Sequence, residues 1–346
     1  MPKKEKKKSW KELQRERQIK QQRAQEAYQI QSEREAKKKP RQWPKGKIFV
    51  AVFFLVLILA VYGAWQYTQT STPSDENPPV SPTTGVIYIR PDGQVSPATA
   101  PISNSGNSYY TLTADVYVPL LIGRDNIVID GANHALQGTW EYGSQGVDLT
   151  GRSNVTVKNL EIAGFDYGVY LSSASNNVIS QNDFTDNYCA IWIVVSSNDN
   201  IISGNNVEDN EMWALFLKES SNNKISENQF TSHANYTIYV RHSNFTTFSG
   251  NYIADNQIGI YFYEASDNVL YHNSFVNNGA GNNMGAVSNS DSTNTFDNGE
   301  EGNYWSNYEE AYPDAEESAG SGIWNTPYVI DEDNQDNHPL VNPWSP

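Results

Sequence analysis

The chain has 346 residues, a formal net charge of −16 and a single cysteine, Cys189. The charge is divided: residues 1–47 carry 17 basic and 6 acidic side chains, a net +11, and the remainder carries 7 and 34, a net −27. One cysteine excludes an intrachain disulfide framework, and a body at −27 excludes non-specific binding to nucleic acid, whose phosphates need cationic partners.

Residues 9–39 lack Gly and Pro, and Ser9-Trp10-Lys11-Glu12 has capping-box spacing, so a solvated helix is expected on the basic side. Its apolar residues, Leu13, Ile19, Tyr28 and Ile30, are too sparse for a coiled-coil seam. Residues 48–65, IFVAVFFLVLILAVYGAW, carry no charge. Eighteen residues at about 1.5 Å each span about 27 Å, enough for a transmembrane helix. A long basic segment precedes this run and no small-residue cleavage site comes after it, which argues against a removed signal peptide. Lys37, Lys38, Lys39, Arg41, Lys45 and Lys47 crowd its N-terminal side, so the positive-inside rule puts the N-terminus in the cytoplasm and the acidic bulk outside. Residues 66–84 form a Ser/Thr/Pro linker.

Asparagine organises the remainder of the chain. Asn159, Asn182, Asn205, Asn228, Asn251 and Asn273 recur at steps of 23, 23, 23, 23 and 22. Five residues earlier run Asn154, Asn177, Asn200, Asn223, Thr246 and Asn268; five later run Asn187, Asn210, His233, Asn256 and Asn278. Apolar columns keep the register: Ile179, Ile202, Ile225, Phe248 and Leu270, then Phe184, Val207, Phe230, Ile253 and Phe275. A third set pairs Val169 with Leu171, Trp192 with Val194, Leu215 with Leu217, Ile238 with Val240 and Ile260 with Phe262. Short period-2 strands at a fixed repeat predict an all-β solenoid, a single-stranded parallel β-helix of about 23 residues per coil over 85–300. Asn tolerates the left-handed corners, and stacked amides satisfy one another as ladders. About eight coils at about 4.8 Å make a rod near 40 Å, whose open edges need caps; residues 110–121 and the tail 301–346 are the candidates.

The units NNVISQNDFTDNYCAIWI and NNKISENQFTSHANYTIYV, with GNYWSNY and NTPYVIDEDNQDNHPLVNP within 302–343, resemble NosD-like proteins and the carbohydrate-binding and sugar-hydrolase (CASH) domains. The resemblance covers residues 85–346. It implies a right-handed parallel β-helix on the outer face of a prokaryotic membrane, of the archaeal surface-protein type. It also raises copper, since NosD is named for copper delivery to nitrous oxide reductase. Relatives carry a D-x-D-x-D-G stretch before the Thr-Pro-Tyr element; here residues 314–322 read DAEESAGSG, which cannot copy an EF-hand-like ligand spacing.

An outward column of Tyr170, Ile193, Phe216, Tyr239 and Tyr261 is expected, edged by Lys218 and Arg241 and then Glu219, His242 and Glu264. Flat aromatics suit sugar rings and the charges suit hydroxyls or uronates, so Tyr170, Phe216, Lys218, Tyr239, Arg241, Tyr261 and Glu264 are the candidate ligand-binding residues. The competing expectation is that Tyr304, Trp305, Tyr308, Tyr312 and Trp324 of the tail lie over this stripe. Asp186 and Asp209, with Asp255 in the same column, can share calcium or act as catalytic carboxylates, although no Arg or Lys completes a lyase-like set. Cys189 and Met212 in one column, with His233 nearby, are soft enough for Cu(I); against this, Cys189 and Met212 also read as buried packing and His233 as a ladder substitute. Three sequons begin at Asn154, Asn235 and Asn244, of which Asn154 is expected to be sequestered and the other two to face outward.

The expectation is a membrane-anchored, non-catalytic module that contacts cell-envelope carbohydrate or surface protein, without cofactor. Its alternatives are a lyase or hydrolase of acidic polysaccharides and a periplasmic copper-handling accessory protein.

Overall fold

The structure, a computed structural model, describes residues 85–279 and 286–344. The expected cytoplasmic helix, transmembrane helix and linker all fall outside the described residues. Among the described residues no helix is long and apolar enough to cross a membrane.

The described chain is a parallel β-solenoid of about eight turns with roughly 23 residues per turn. One wall is a ten-stranded sheet that includes Tyr167–Ser172, Cys189–Val194, Trp213–Lys218, Tyr236–Arg241 and Ile258–Tyr263. The other two walls merge in the early coils, where Val155–Ala163 is a single long strand pairing with both Val178–Ser180 and Asp183–Thr185 of the next coil. Later coils break at this point into separate short strands.

The interior follows the apolar columns. Ile179, Ile202, Ile225, Phe248 and Leu270 are fully buried, as are Phe184, Val207, Phe230 and Ile253. One register differs from expectation. Ile191 and Ile193, not Trp192 and Val194, point inward on their coil, because Ile193 pairs with Leu171 and Leu217 while Trp192 pairs with Tyr170 and Phe216. The cause lies in the next turn, where Val195 and Ser196 both take positive φ, against the single residues Ser173 and Glu219 in the neighbouring coils. That turn takes up one extra residue, which a constant step of 23 hides.

Three amide ladders run along the axis. In the central one, Asn182 Nδ2 donates to Asn205 Oδ1 at 3.1 Å, and the chain continues through Asn228, Asn251, Asn273 and Asn303 at 2.9, 3.0, 2.8 and 2.9 Å. Each oxygen also accepts a backbone N–H from the preceding coil, as Asn205 Oδ1 does from Asn182 N at 3.0 Å. The ladder asparagines are not the left-handed residues. Positive φ falls on the residue just before them, as at Gln181, Asp186, Asp209, Glu227 and Asp255. Asn154 and Asn159, expected in the ladders, sit one position off, opposite Asn176 and Gln181, because Val155 N and Leu160 N donate to Asn177 and Asn182. Asn154 is therefore exposed rather than sequestered.

Both ends are closed. Antiparallel strands Val95–Ser96 and Ile102–Ser105 blunt the N-terminal edge, mostly upstream of the expected cap. At the other end Tyr304–Trp305 pairs with Ser274–Val276, and Trp305 stacks between Phe275 and Tyr328 at 4.5 and 4.3 Å. The central ladder ends on the buried carboxylate of Asp336, which accepts from Asn303 N, Trp305 Nε1 and His338 N at 2.7, 2.9 and 3.0 Å. Gly302 passes against this carboxylate, where any Cβ would collide with it.

Candidate carbohydrate-contact face

The outer side of the ten-stranded sheet carries a second apolar cluster, separate from the core. Cys189, Val194, Met212, Trp213, Phe216 and Tyr239 are buried in it, with Tyr167, Tyr170, Tyr188, Trp192, Tyr236, Tyr261 and Tyr263 packed around them. Rings touch in an unbroken series: Tyr167 to Trp192 at 4.7 Å, Trp192 to Phe216 at 4.2 Å, Phe216 to Tyr239 at 5.3 Å and Tyr239 to Tyr261 at 5.2 Å. Tyr236 stacks on Tyr261 at 4.6 Å and 19°. These rings shield one another, so Phe216 and Tyr239 are only 6% and 7% exposed although they lie outside the coil. Burial pushes the Tyr188 phenol up to about 12 and raises Tyr167 as well, so both remain neutral donors.

Tyr170, Phe216, Tyr239 and Tyr261 occupy the expected column, with Trp192 in place of the inward-facing Ile193. Tyr167, Trp213 and Tyr236 lie outside that expectation. They stand three residues before the column, and a small-residue row between (Gly168, Ala190, Ala214, Thr237) lets the strand bend over the interior. At Gly168 a Cβ would meet Ala190 O at 2.6 Å. Strict alternation does not see a spacing of three; the repeated small residue before each apolar pair is the signal that does.

At one edge Lys218 and Arg241 pair in register on adjacent strands. Lys218 Nζ lies 3.6 Å from Glu219, and the Arg241 guanidinium stands 5.4 Å over the Tyr263 ring. Glu264 is held by His242 at 2.6 Å, so it belongs to that pair rather than to the face. At the opposite edge Asp166 accepts from Gly143 N at 2.7 Å, anchoring a loop that carries the fully exposed Tyr142.

The tail does not cover the stripe. Its rings meet one another and the C-terminal end: Tyr308 stacks on Trp324 at 4.9 Å and Trp344 on His272 at 5.0 Å. Among the described residues none of the tail aromatics joins the outer cluster.

The other candidates disperse. Cys189 pairs with Trp213, not Met212, and its Sγ donates to Ile191 O at 3.3 Å. Burial pushes that thiol up, which disfavours the thiolate a metal needs. Met212 Sδ accepts from Asn235 Nδ2 at 2.9 Å. His233 replaces an amide in its ladder, with its backbone N–H on Asn256 Oδ1 at 3.0 Å, and burial lowers its ring to about 4. A copper donor set does not assemble from these three. Among the described residues no three His, Cys, Asp or Glu side chains gather as metal ligands. Asp186 and Asp209 are exposed left-handed corners, where Asp serves the backbone. Iodoacetamide is expected to leave Cys189 unmodified in the folded chain and to alkylate it fully in denaturant, read by mass; rapid labelling when folded would contradict this burial.

Of the sequons, Asn154 Nδ2 donates to Asn126 Oδ1 at 2.8 Å. Asn235 and Asn244 are half-buried, and Asn244 Oδ1 accepts from Ser266 N at 2.9 Å.

The sequence model of a family described as "Periplasmic copper-binding protein (NosD)" matches residues 103–310. No curated protein matches the chain. Similar solved structures include the periplasmic alginate epimerase AlgG, 18% identical with a TM-score of 0.40 over 53% of this chain and 47% of that one. The enzymatically active domain of tailspike protein 2 from bacteriophage CBA120 is 14% identical, with a TM-score of 0.39 over 53% and 34%. Alginate lyase from Paenibacillus sp. str. FPU-7 is 11% identical, with a TM-score of 0.29 over 53% and 87%. The chain thus spans less than half of the first two.

Proposed function

The chain belongs to the NosD family, and from that premise we propose that it is a non-catalytic β-helix module of the cell exterior whose outer aromatic face contacts envelope carbohydrate. The supporting observation is the unbroken series of rings from Tyr167 to Tyr261 on five successive strands, outside the core and not joined by the tail. Apolar area of this kind on the outside of a β-solenoid marks a contact surface. Rings at its rim offer flat faces to the C–H side of a pyranose, and a β-helix holds them without reorganisation. Trp213 Nε1, buried in the face, has no acceptor among the described residues. The periplasmic assignment of the family accords with an external β-helix, and the apolar run 48–65 would tether it.

The test is a glycan array probed with the full-length chain in detergent. Wild type is expected to bind, and Trp192→Ala and Tyr261→Ala each to weaken binding by about tenfold, equivalent to about 1.4 kcal/mol, with the melting midpoint little changed. Silence of the wild type on all glycans would sink the reading.

A further inference from the structure

We propose that the face selects acidic glycans, with Lys218 and Arg241 receiving the carboxylate of a hexuronate unit whose ring lies against the neighbouring aromatics. This rests on the reading of the face as a carbohydrate site and narrows its ligand class.

Residues 85–346 hold only seven basic side chains among 32 acidic ones. Arg90, Arg152 and Lys158 are spent on Asp92, Asp125 and Asp130, at 3.1, 3.4 and 3.2 Å. Lys218 and Arg241 are placed differently. They stand directly opposite one another on adjacent strands, about 4.8 Å apart along the axis, where like charges repel. Lys218 has only a solvent-screened ion pair, and Arg241 has none among the described residues. Glu219 is 3.6 Å from Lys218 on a pair that is about half exposed. Arg241 Nε is buried with no acceptor among the described residues, and among them the guanidinium's partner is the Tyr263 ring, not a carboxylate.

Two cations side by side, one weakly paired and the other without an ion pair among the described residues, in a body of strongly negative charge, fit a ligand that brings a further anion. The face specifies the rest of that ligand. Phe216 and Tyr239 lie two residues before Lys218 and Arg241 on the same strands and the same side, so ring platform and charge pair form one continuous surface. The guanidinium carbon stands 5.4 Å over the Tyr263 ring, and a planar fork matches a carboxylate in two-point fashion.

The full-length chain in detergent is titrated calorimetrically with oligogalacturonate and with neutral malto-oligosaccharide of the same length, at low and high salt. Oligogalacturonate is expected to bind at least about tenfold tighter at low salt, and the preference to shrink at high salt as the charges are screened. Lys218→Gln with Arg241→Gln should erase the preference, bringing oligogalacturonate affinity down to that for malto-oligosaccharide. The single exposed Lys218→Gln should lose part of it, which guards against a double variant that folds poorly. Arg241→Lys should lose less than Arg241→Gln. Binding of both sugars without preference, or a preference that survives the double variant, overturns this inference and leaves the face as a carbohydrate site. Binding of neither sugar overturns the site itself, and this inference with it.

Discussion

Asp336→Ala is expected to lower the unfolding free energy by about 3–5 kcal/mol, because several buried donors lose their acceptor at once and each costs about 1–3 kcal/mol unpaired. The donors are Asn303 N, Asn303 Nδ2, Trp305 Nε1 and His338 N, all on one fully buried carboxylate. Asp336→Asn keeps the shape but turns an N–H toward one of these donors, so a smaller loss of about 1–3 kcal/mol is expected. The pH dependence has a definite sign. Burial outweighs the four donors and pushes this carboxyl up to about 6, above its unfolded value. The native state therefore holds the proton more tightly, and the contribution of Asp336 to stability falls as pH rises from about 4 to about 6. Urea denaturation of wild type and Asp336→Asn across this window should show that slope only in wild type. Equal slopes would mean that the carboxyl is not buried as described.

Asn228→Leu is expected to cost about 4–5 kcal/mol, near the upper limit for a single substitution. Its Oδ1 accepts from Asn205 N and Nδ2 at 3.0 and 2.9 Å, and its Nδ2 donates to Ile202 O, Ser226 O and Asn251 Oδ1 at 2.9, 3.0 and 3.0 Å. Leucine fills the space and strands these groups in a water-free interior. Asn154→Leu is the control: the same residue type, which the repeat alone makes the counterpart of Asn223 in the neighbouring ladder, but exposed, and expected to cost only about 1–2 kcal/mol, that of a leucine at left-handed φ. Thermal melts of the two variants decide the matter, and similar losses would contradict the one-residue offset of the first coils.

The repeat is legible because ladders and core columns are set by local, periodic chemistry: a buried amide needs an amide above and below it, so identity recurs with the coil. What escapes is non-periodic. A constant step places Ile193 outward, because the extra residue at Val195–Ser196 compensates within a step that remains 23 overall. The same step places Asn154 in a ladder, whereas the first coils of the ladder region step by 22 and set it over Asn176. The left-handed corners fall to Asn, Asp, Glu, Gln, Ser, Gly, His and Phe one position ahead of the ladder residues, a role no column of identical residues advertises. The outer cluster is half visible. Its middle column alternates with core residues, whereas Trp213 and Tyr236 are set by the bend at Ala214 and Thr237. That the tail seals an end rather than a side depends on Asp336 meeting Asn303, a contact between single residues 33 positions apart.

The ladders also have a direction. In every amide-to-amide bond of the central one the N–H points toward the C-terminal end and the carbonyl oxygen toward the beginning, so the amides form a head-to-tail wire with its donor terminus at Asp336. A carboxylate has only lone pairs to offer, which makes it the natural terminator for that pole and unusable as an interior rung, where a donor must be passed on. Duplicating or deleting one 23-residue unit in mid-ladder leaves the Asp336 terminator and both end caps in place and the polarity unbroken. Coil number is therefore a free variable of this architecture, and the two ends are its constants.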